Sequence, residues 1–179
     1  MSNQSVPVVT IDGPSGAGKG TISQMLALDL KWNILDSGAL YRTLAYCMLE
    51  QDIELEDFEE NKDFIKKNFI VNFDPGNVGE PVKVIFNNND ITNKVRTEEI
   101  AKQTSDLASD LLIREFIKPC QREFMTLPGL VADGRDMGTV IFSDAKHKIF
   151  LTASIEERAQ RRQTQLKRQG SEVNMRLLL

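Results

Sequence analysis

The order of segments along the chain predicts an α/β fold, a central parallel sheet flanked by helices, with a small antiparallel β insertion and a helical lid added to it. Three observations predict this. Short apolar runs alternate with segments of helical period, as strands do when crossover helices let them run parallel. A glycine-rich turn, Gly13 to Gly18, separates the first such strand from the first helix. Between about residues 63 and 100 the period shifts to two, in runs divided by turn residues, which reads as a small antiparallel sheet.

Taken in order, Val6 to Asp12 is rich in β-branched residues and reads as a buried strand. Lys19 to Lys31 has helical spacing, with Ile22, Met25, Leu26, Ala27 and Leu30 on one apolar face. Asn33 to Leu35 is a short strand ending at Asp36, and Ser37 to Leu49 is helical. Within the insertion, Phe69–Phe73 and Val82–Phe86 alternate, and an Asn-rich turn follows them. Thr97 to Thr126 returns to helix, and Leu130–Asp133 and His147–Ala153 are two further core strands. The last stretch, SIEERAQRRQTQLKRQGSEVNMRLLL, is helical and basic with a break near Gly170. It closes on three leucines with no cap and no final strand, an ending that predicts a domain running on past residue 179. The expectation is a single domain: a core at about 1–62 and 101–156, an insertion at about 63–100, and the start of a lid at about 157–179.

A domain of 179 residues buries roughly 70% of the surface its unfolded chain exposes, enough for a real core. With 22 basic and 26 acidic side chains the net charge is −4, which lacks the positive excess of a general nucleic-acid binder. The two cysteines, Cys47 and Cys120, belong to no CxxC pair, so they read as free thiols rather than zinc or redox ligands. Met1 to Pro7 lacks the basic start and apolar stretch of a signal peptide, and no apolar run approaches the ~20 residues that span a bilayer. The expectation is a cytoplasmic monomer with neither membrane nor nucleic acid as partner.

The chemistry begins at Gly13-Pro14-Ser15-Gly16-Ala17-Gly18-Lys19, which fits G-x-x-x-x-G-K between a strand and a helix. This is the P-loop of the NTPase fold: backbone N–H groups wrap the phosphates, the helix start adds partial positive charge, and Lys19 reaches the β- and γ-phosphates. Gly20 stands where Ser or Thr would usually hold magnesium, and Thr21 follows it. That GAGKGT ending is similar to the nucleoside monophosphate kinases. It speaks against a GTPase switch, as does the lack of an Asn-Lys-x-Asp motif.

LDSGALYR puts Asp36 and Ser37 at the carboxyl end of a strand and Arg42 in the following helix, where α/β sheets bind ligands. A hydroxyl and an arginine there can hold a second nucleotide; taken alone Arg42 is equally a surface ion-pair partner, and its position favours the ligand role. LVADGRDMGT delivers Asp133, Arg135 and Asp136 from the end of another strand. Asp133 can orient water ligands of magnesium, Arg135 offers a planar fork to a phosphate, and Asp136 can accept from a base amine. Arg158, Arg161 and Arg162 share one helical face and can converge on ATP. The sole histidine, His147, precedes a strand and reads as structural.

Four ordered motifs, IDGPSGAGKGT, LDSGALYR, VRTEEIAKQTSDLAS and ADGRDMGTVIF, closely resemble the bacterial cytidylate kinases, and the likeness covers essentially the whole chain. The resemblance implies transfer of the γ-phosphoryl of ATP, with Mg²⁺, to CMP or dCMP. It implies that Ser105, Arg114 and Asp136 recognise the cytosine, that Arg42 and Arg135 hold the acceptor phosphate with Ser37 nearby, that Arg96 helps shape this pocket, and that the insertion lies on the monophosphate-binding side. Relatives carry an Arg/Asp-rich lid segment and a final strand and helix that this sequence stops short of. Two rivals stand beside this reading. A kinase acting on AMP or UMP is opposed by the Ser105, Arg114 and Asp136 set, and a nucleotide-driven binding module or motor by the acceptor-type arginines Arg42 and Arg135.

Overall fold

In the computed structural model, residues 6–168 are described, apart from the side chains of 162 and 165–168. The elements run β1 (Val8–Asp12), α1 (Lys19–Leu30), β2 (Asn33–Asp36), α2 (Ser37–Glu50), α3 (Phe58–Asn68), β3 (Val71–Asp74), β4 (Lys83–Phe86), β5 (Asn89–Asp90), α4 (Glu98–Ser109), α5 (Leu111–Glu123), β6 (Leu130–Gly134), β7 (His147–Phe150) and α6 (Ile155–Arg168). A wide π-type turn, Met137–Ile141, follows β6. The four-stranded sheet has the order β2-β6-β1-β7 and is parallel throughout, as the alternation of strands and helices requires. Among the described residues no helix is long and apolar enough to cross a membrane.

The register sets the level of every strand end. Asp12 pairs with Gly134 on one side and Phe150 on the other, while Asp36 pairs with Asp133. The loops that leave β1, β6 and β2 therefore start side by side. Strand β1 is buried at every position, as an inner parallel strand must be, whereas β7 joins the main sheet as expected but is exposed along its length and is the outermost strand on its side among the described residues.

The small sheet is antiparallel, β3-β4-β5, and lies within the expected insertion. The Asn-rich turn contributes its third strand: Asn87 and Asn88 take φ of 47° and 65°, the left-handed conformation that a two-residue hairpin turn needs and asparagine tolerates. This sheet has no core of its own. Val84, Ile91 and Val95 bury into the same cluster as Leu40 and Leu44 of α2 and Ile113 and Ile117 of α5. The stretch from Thr97 to Thr126, expected to be helical, holds two helices divided at Asp110, whose carboxylate accepts from the Leu112 and Ile113 amides and starts α5 afresh. The expected break near Gly170 lies outside the described residues.

Helix α1 departs from the sequence pattern. Its buried residues are Ser23, Gln24 and Ala27, while Ile22 and Met25 of the apolar face are 43% and 49% exposed. Small side chains let the helix lie against the sheet, and Gln24 reaches sideways instead: its Nε2 donates to the carbonyls of Pro75 at 2.5 Å, Asn77 at 3.1 Å and Glu80 at 3.0 Å. The loop between β3 and β4 thus hangs from the helix that carries the P-loop. Gln24→Leu, close in size but with no donor, is expected to cost about 1–3 kcal/mol by leaving these carbonyls without their partner. Thermal unfolding and limited proteolysis check this, and an unchanged Tm with no new cleavage near residues 75–80 contradicts it.

Candidate functional site

Gly13 leaves β1 with φ of 147°, and a Cβ there would stand 2.0 Å from the Leu151 carbonyl oxygen, so only glycine fits. The turn then enters α1, whose first amides lack intrahelical partners. Lys19 Nζ donates to Pro14 O at 3.1 Å and lies 3.8 Å from Asp133 Oδ1. From the other side, Arg161 of α6 donates to Gly16 O at 3.1 Å and Ala17 O at 2.9 Å. A cleft of about 490 Å³ opens over the loop, lined by Gly13, Pro14 and Ser15 with Arg135, Arg158, Phe150 and Thr152. Of the three lid arginines expected to converge, Arg158 faces this cleft and Arg161 braces the loop, while the Arg162 side chain lies outside the described residues.

Burial and like charge shape the floor. Asp133 is the penultimate residue of β6 at 8% exposure, and its carboxyl is pushed up to about 8 by burial, then by Asp36 and Asp12, with Lys19 pulling the other way. Gly20 leaves room beside it: a Cβ there would come 3.6 Å from Asp133 Oδ2. Thr21 is exposed in the first turn of α1. Among the described residues no group of three or more His, Cys, Asp or Glu could enclose a metal ion. The oxygens within reach of the loop include the Asp133 carboxylate and the Thr21 hydroxyl, a donor set that fits a hard divalent ion whose remaining ligands are phosphate oxygens and water.

The side expected to take the acceptor is built from α2, α4 and α5. Asp36 caps α2 by accepting from the Ala39 amide at 2.9 Å. Ser37 is buried, and its Oγ accepts from Gln121 Nε2 at 2.9 Å, which leaves the hydroxyl proton free to donate elsewhere. Arg42 donates to Val95 O at 3.2 Å and Arg96 to Val82 O at 3.0 Å, so both are engaged with the backbone of the insertion and its exit. Arg114 of α5 and Asp136 form an ion pair of 2.5 Å, and Ser105 is exposed on α4, donating to Ala101 O. Tyr41 sits by the pair, its hydroxyl raised above the usual tyrosine value by burial first, with Arg114 opposing and Asp136 adding.

The structure thus joins Arg114 to Asp136 and sets Arg135 over the P-loop, in one cleft with Arg158. Sequence reasoning missed Asp12, Tyr41, Gln24 and Gln121. Of these only Asp12 carried a signal, an acid closing an otherwise apolar strand. Both of its oxygens accept backbone amides, Met137 N and Gly138 N, each at 2.8 Å. Cys47 and Cys120 are free, and burial pushes both thiols up to about 11, so neither is a nucleophile at neutral pH. His147 pairs with Val9 in the register, three residues short of the Asp12–Phe150 level where the loop begins.

The family model described as "Cytidylate kinase" matches residues 9–179. Proteins named cytidylate kinase from Shewanella sp. (strain MR-4), Shewanella sp. (strain W3-18-1) and Shewanella oneidensis are each 51% identical over 177 residues, covering 99% of this chain and 76% of the relative. A solved structure, that of TT1252 from Thermus thermophilus, aligns over 98% of this chain and 78% of its own at TM-score 0.44 and 14% identity, a likeness too slight to add to these.

Asp133 supplies a test of the floor. Its folded value near 8 lies above the ordinary aspartate value of 3.8, so between those pH values the folded chain holds a proton that the unfolded chain has lost. Stability must then fall as pH rises across that window. Asp133→Asn removes the titration. In buffer free of metal and nucleotide its Tm is expected to exceed the wild-type value by a margin that grows from about pH 4.5 to about pH 8.5. A margin constant with pH, or a wild type that gains on the variant as pH rises, contradicts the assignment.

Proposed function

The chain belongs to the cytidylate kinase family, and from that premise we propose how its residues divide the work of moving the γ-phosphoryl of ATP to CMP or dCMP, giving CDP or dCDP. The observation that carries the division is the placing of one strand end beside the next: β1 leads into Gly13–Lys19, and β6, its neighbour, leads into Asp133, Arg135 and Asp136.

ATP is held by Gly13, Pro14, Ser15, Gly16, Ala17, Gly18, Lys19, Gly20 and Thr21, with Arg158, Arg161 and Arg162 from the lid. Lys19 exchanges the Pro14 carbonyl for the β- and γ-phosphates. CMP is held by Asp36, Ser37, Arg42, Ser105, Arg114, Arg135 and Asp136, with Arg96 shaping the wall and the insertion forming the monophosphate-binding side. Phosphoryl transfer needs its two oxygens in line and its spreading negative charge met by fixed cations. Lys19 is the catalytic group on the donor side, Arg42 and Arg135 hold and orient the acceptor phosphate, and Asp133 completes the catalytic set. The acceptor is already an ionised phosphate oxygen, so no histidine base is required.

ATP-dependent transfer of this kind generally uses a divalent ion. We take it to be Mg²⁺, which would be held by phosphate oxygens, by Asp133 through water and by Thr21, and which would supply positive charge to the β- and γ-oxygens. Base choice falls to Asp136. One of its oxygens is taken by Arg114, and the other is left to accept from the C4 amine of cytosine. Uracil presents a carbonyl there, and two acceptors face to face repel. Free nucleotides as substrates and the net charge of −4 support a cytoplasmic monomer that acts on no nucleic acid.

Parallel assays of diphosphate formation from CMP, UMP and AMP test the acceptor, with turnover expected on CMP and equal turnover on AMP overturning the reading. Lys19→Ala is expected to lower kcat/KM for CMP by roughly a hundredfold or more, with the fold retained by circular dichroism. Asp136→Asn is expected to cut the CMP/UMP preference by about tenfold or more, because its amide can donate to the uracil carbonyl. An unchanged preference removes Asp136 from base recognition.

A further inference from the structure

Asp12 touches neither nucleotide in the assignment above, yet it ends the strand that starts the P-loop and is only 7% exposed. Its backbone pairs with Gly134, and its carboxylate accepts from the amides of Met137 and Gly138. Arg135 and Asp136 are the two residues between those attachments. They form a short loop pinned at both ends to one residue of the neighbouring strand. Beyond it the chain is held to itself, with Val140 N donating to Asp136 O at 2.9 Å and Phe142 N to Met137 O at 2.7 Å. The fit is close: a Cβ on Gly138 would come 2.6 Å from Thr10 Oγ1 on β1.

An ionised carboxylate is the side chain this place calls for. It offers acceptors only, and it meets two donors that open the π-type turn and have no partner within it. An asparagine would turn its NH₂ toward one of the two amides, donor against donor, and release that end of the loop. We propose that Asp12 is a positioning residue for acceptor choice: by fixing the backbone at 137–138 it aims the Asp136 carboxylate at Arg114 and at the base, and holds Arg135 over the P-loop. This rests on the reading of Asp136 given above.

Affinity of the full chain for CMP and for UMP, measured by calorimetry on wild type, Asp12→Asn and Asp136→Asn, tests it without depending on turnover. Asp12→Asn is expected to lower the CMP/UMP affinity ratio by about fivefold or more. A merely structural role would lower Tm and scale both affinities together. A ratio that Asp136→Asn changes and Asp12→Asn does not overturns the role of Asp12 alone. If neither variant moves the ratio, the assignment of Asp136 to the base fails and this role goes with it. Should Asp12→Asn not fold, amide exchange in the nucleotide-free wild type decides: Met137 and Gly138 are expected to be as protected as the β6 amides, and exchange at the rate of an open loop overturns the proposal.

Discussion

The site depends on one constraint, the parallel register of β2, β6 and β1. With Asp36 level with Asp133 and Asp12 level with Gly134, three loops with different tasks leave the sheet at one height. Each of those strands also brings a carboxylate to that height, and a buried cluster of acids is costly unless some stay protonated or meet cations. The rise of the Asp133 carboxyl to about 8 is the visible form of that cost. Lys19 offsets part of it at 3.8 Å, and the two amides on Asp12 offset another part, hydrogen bonds to a charged group contributing about 1.5–3 kcal/mol each. A slip of one residue between β1 and β6 would send Asp12 to the other face of the sheet and undo both.

The insertion is attached to this frame in two physically distinct ways. Val84, Ile91 and Val95 share the main core, and such contact is non-directional: it fixes how deep the small sheet sits and tolerates sliding. Direction comes from long side chains donating to backbone carbonyls, Gln24 to the β3–β4 loop and Arg42 to Val95, while Arg96 on Val82 ties the insertion to itself. Carbonyl acceptors are what a loop without ladder partners leaves over, so the donors that find them come from helices facing the loop. The same division explains why Arg42 and Arg96 are not idle surface charges.

How much of this was legible follows from how local each signal is. The strand–turn–helix order of residues 8 to 30 and the period-two runs of the insertion are written in neighbouring residues, and they appear where expected. The buried face of α1 was misjudged because periodicity reports which residues are apolar. What a helix buries depends on what it lies against, and here a flat sheet takes Ser23 and Ala27 while Gln24 finds carbonyls more than fifty residues away. The break at Asp110 was there to be read, an N-cap residue inside a long helical stretch. The partners of Asp12 and Ser37 were not, being 125 and 84 residues distant in sequence. For the site, motif spacing pointed to the P-loop, Asp36, Ser37, Arg42, Asp133, Arg135 and Asp136, and only the family resemblance pointed to Ser105 and Arg114; that Arg114 pairs directly with Asp136 is a product of the fold.

Arg161 ties α6 to the glycine-rich turn through two successive carbonyls, those of Gly16 and Ala17. A trans peptide points its C=O and the next N–H in opposite directions. Arg161 of α6 holds the Ala17 carbonyl at 2.9 Å, so the Gly18 amide across that plane faces away from the lid helix, into the turn. The approach is tight, for a Cβ on Gly18 would lie 3.3 Å from the Arg161 guanidinium. A loop that turns its amides inward must turn carbonyls outward, and outward carbonyls need donors from outside the loop. Arg161 is such a donor on a helix, whereas Lys19 serves the Pro14 carbonyl from within the same segment. Arg161 therefore holds the outer side of a peptide whose N–H faces the turn, so the shape of the loop and the position of α6 are coupled rather than independent.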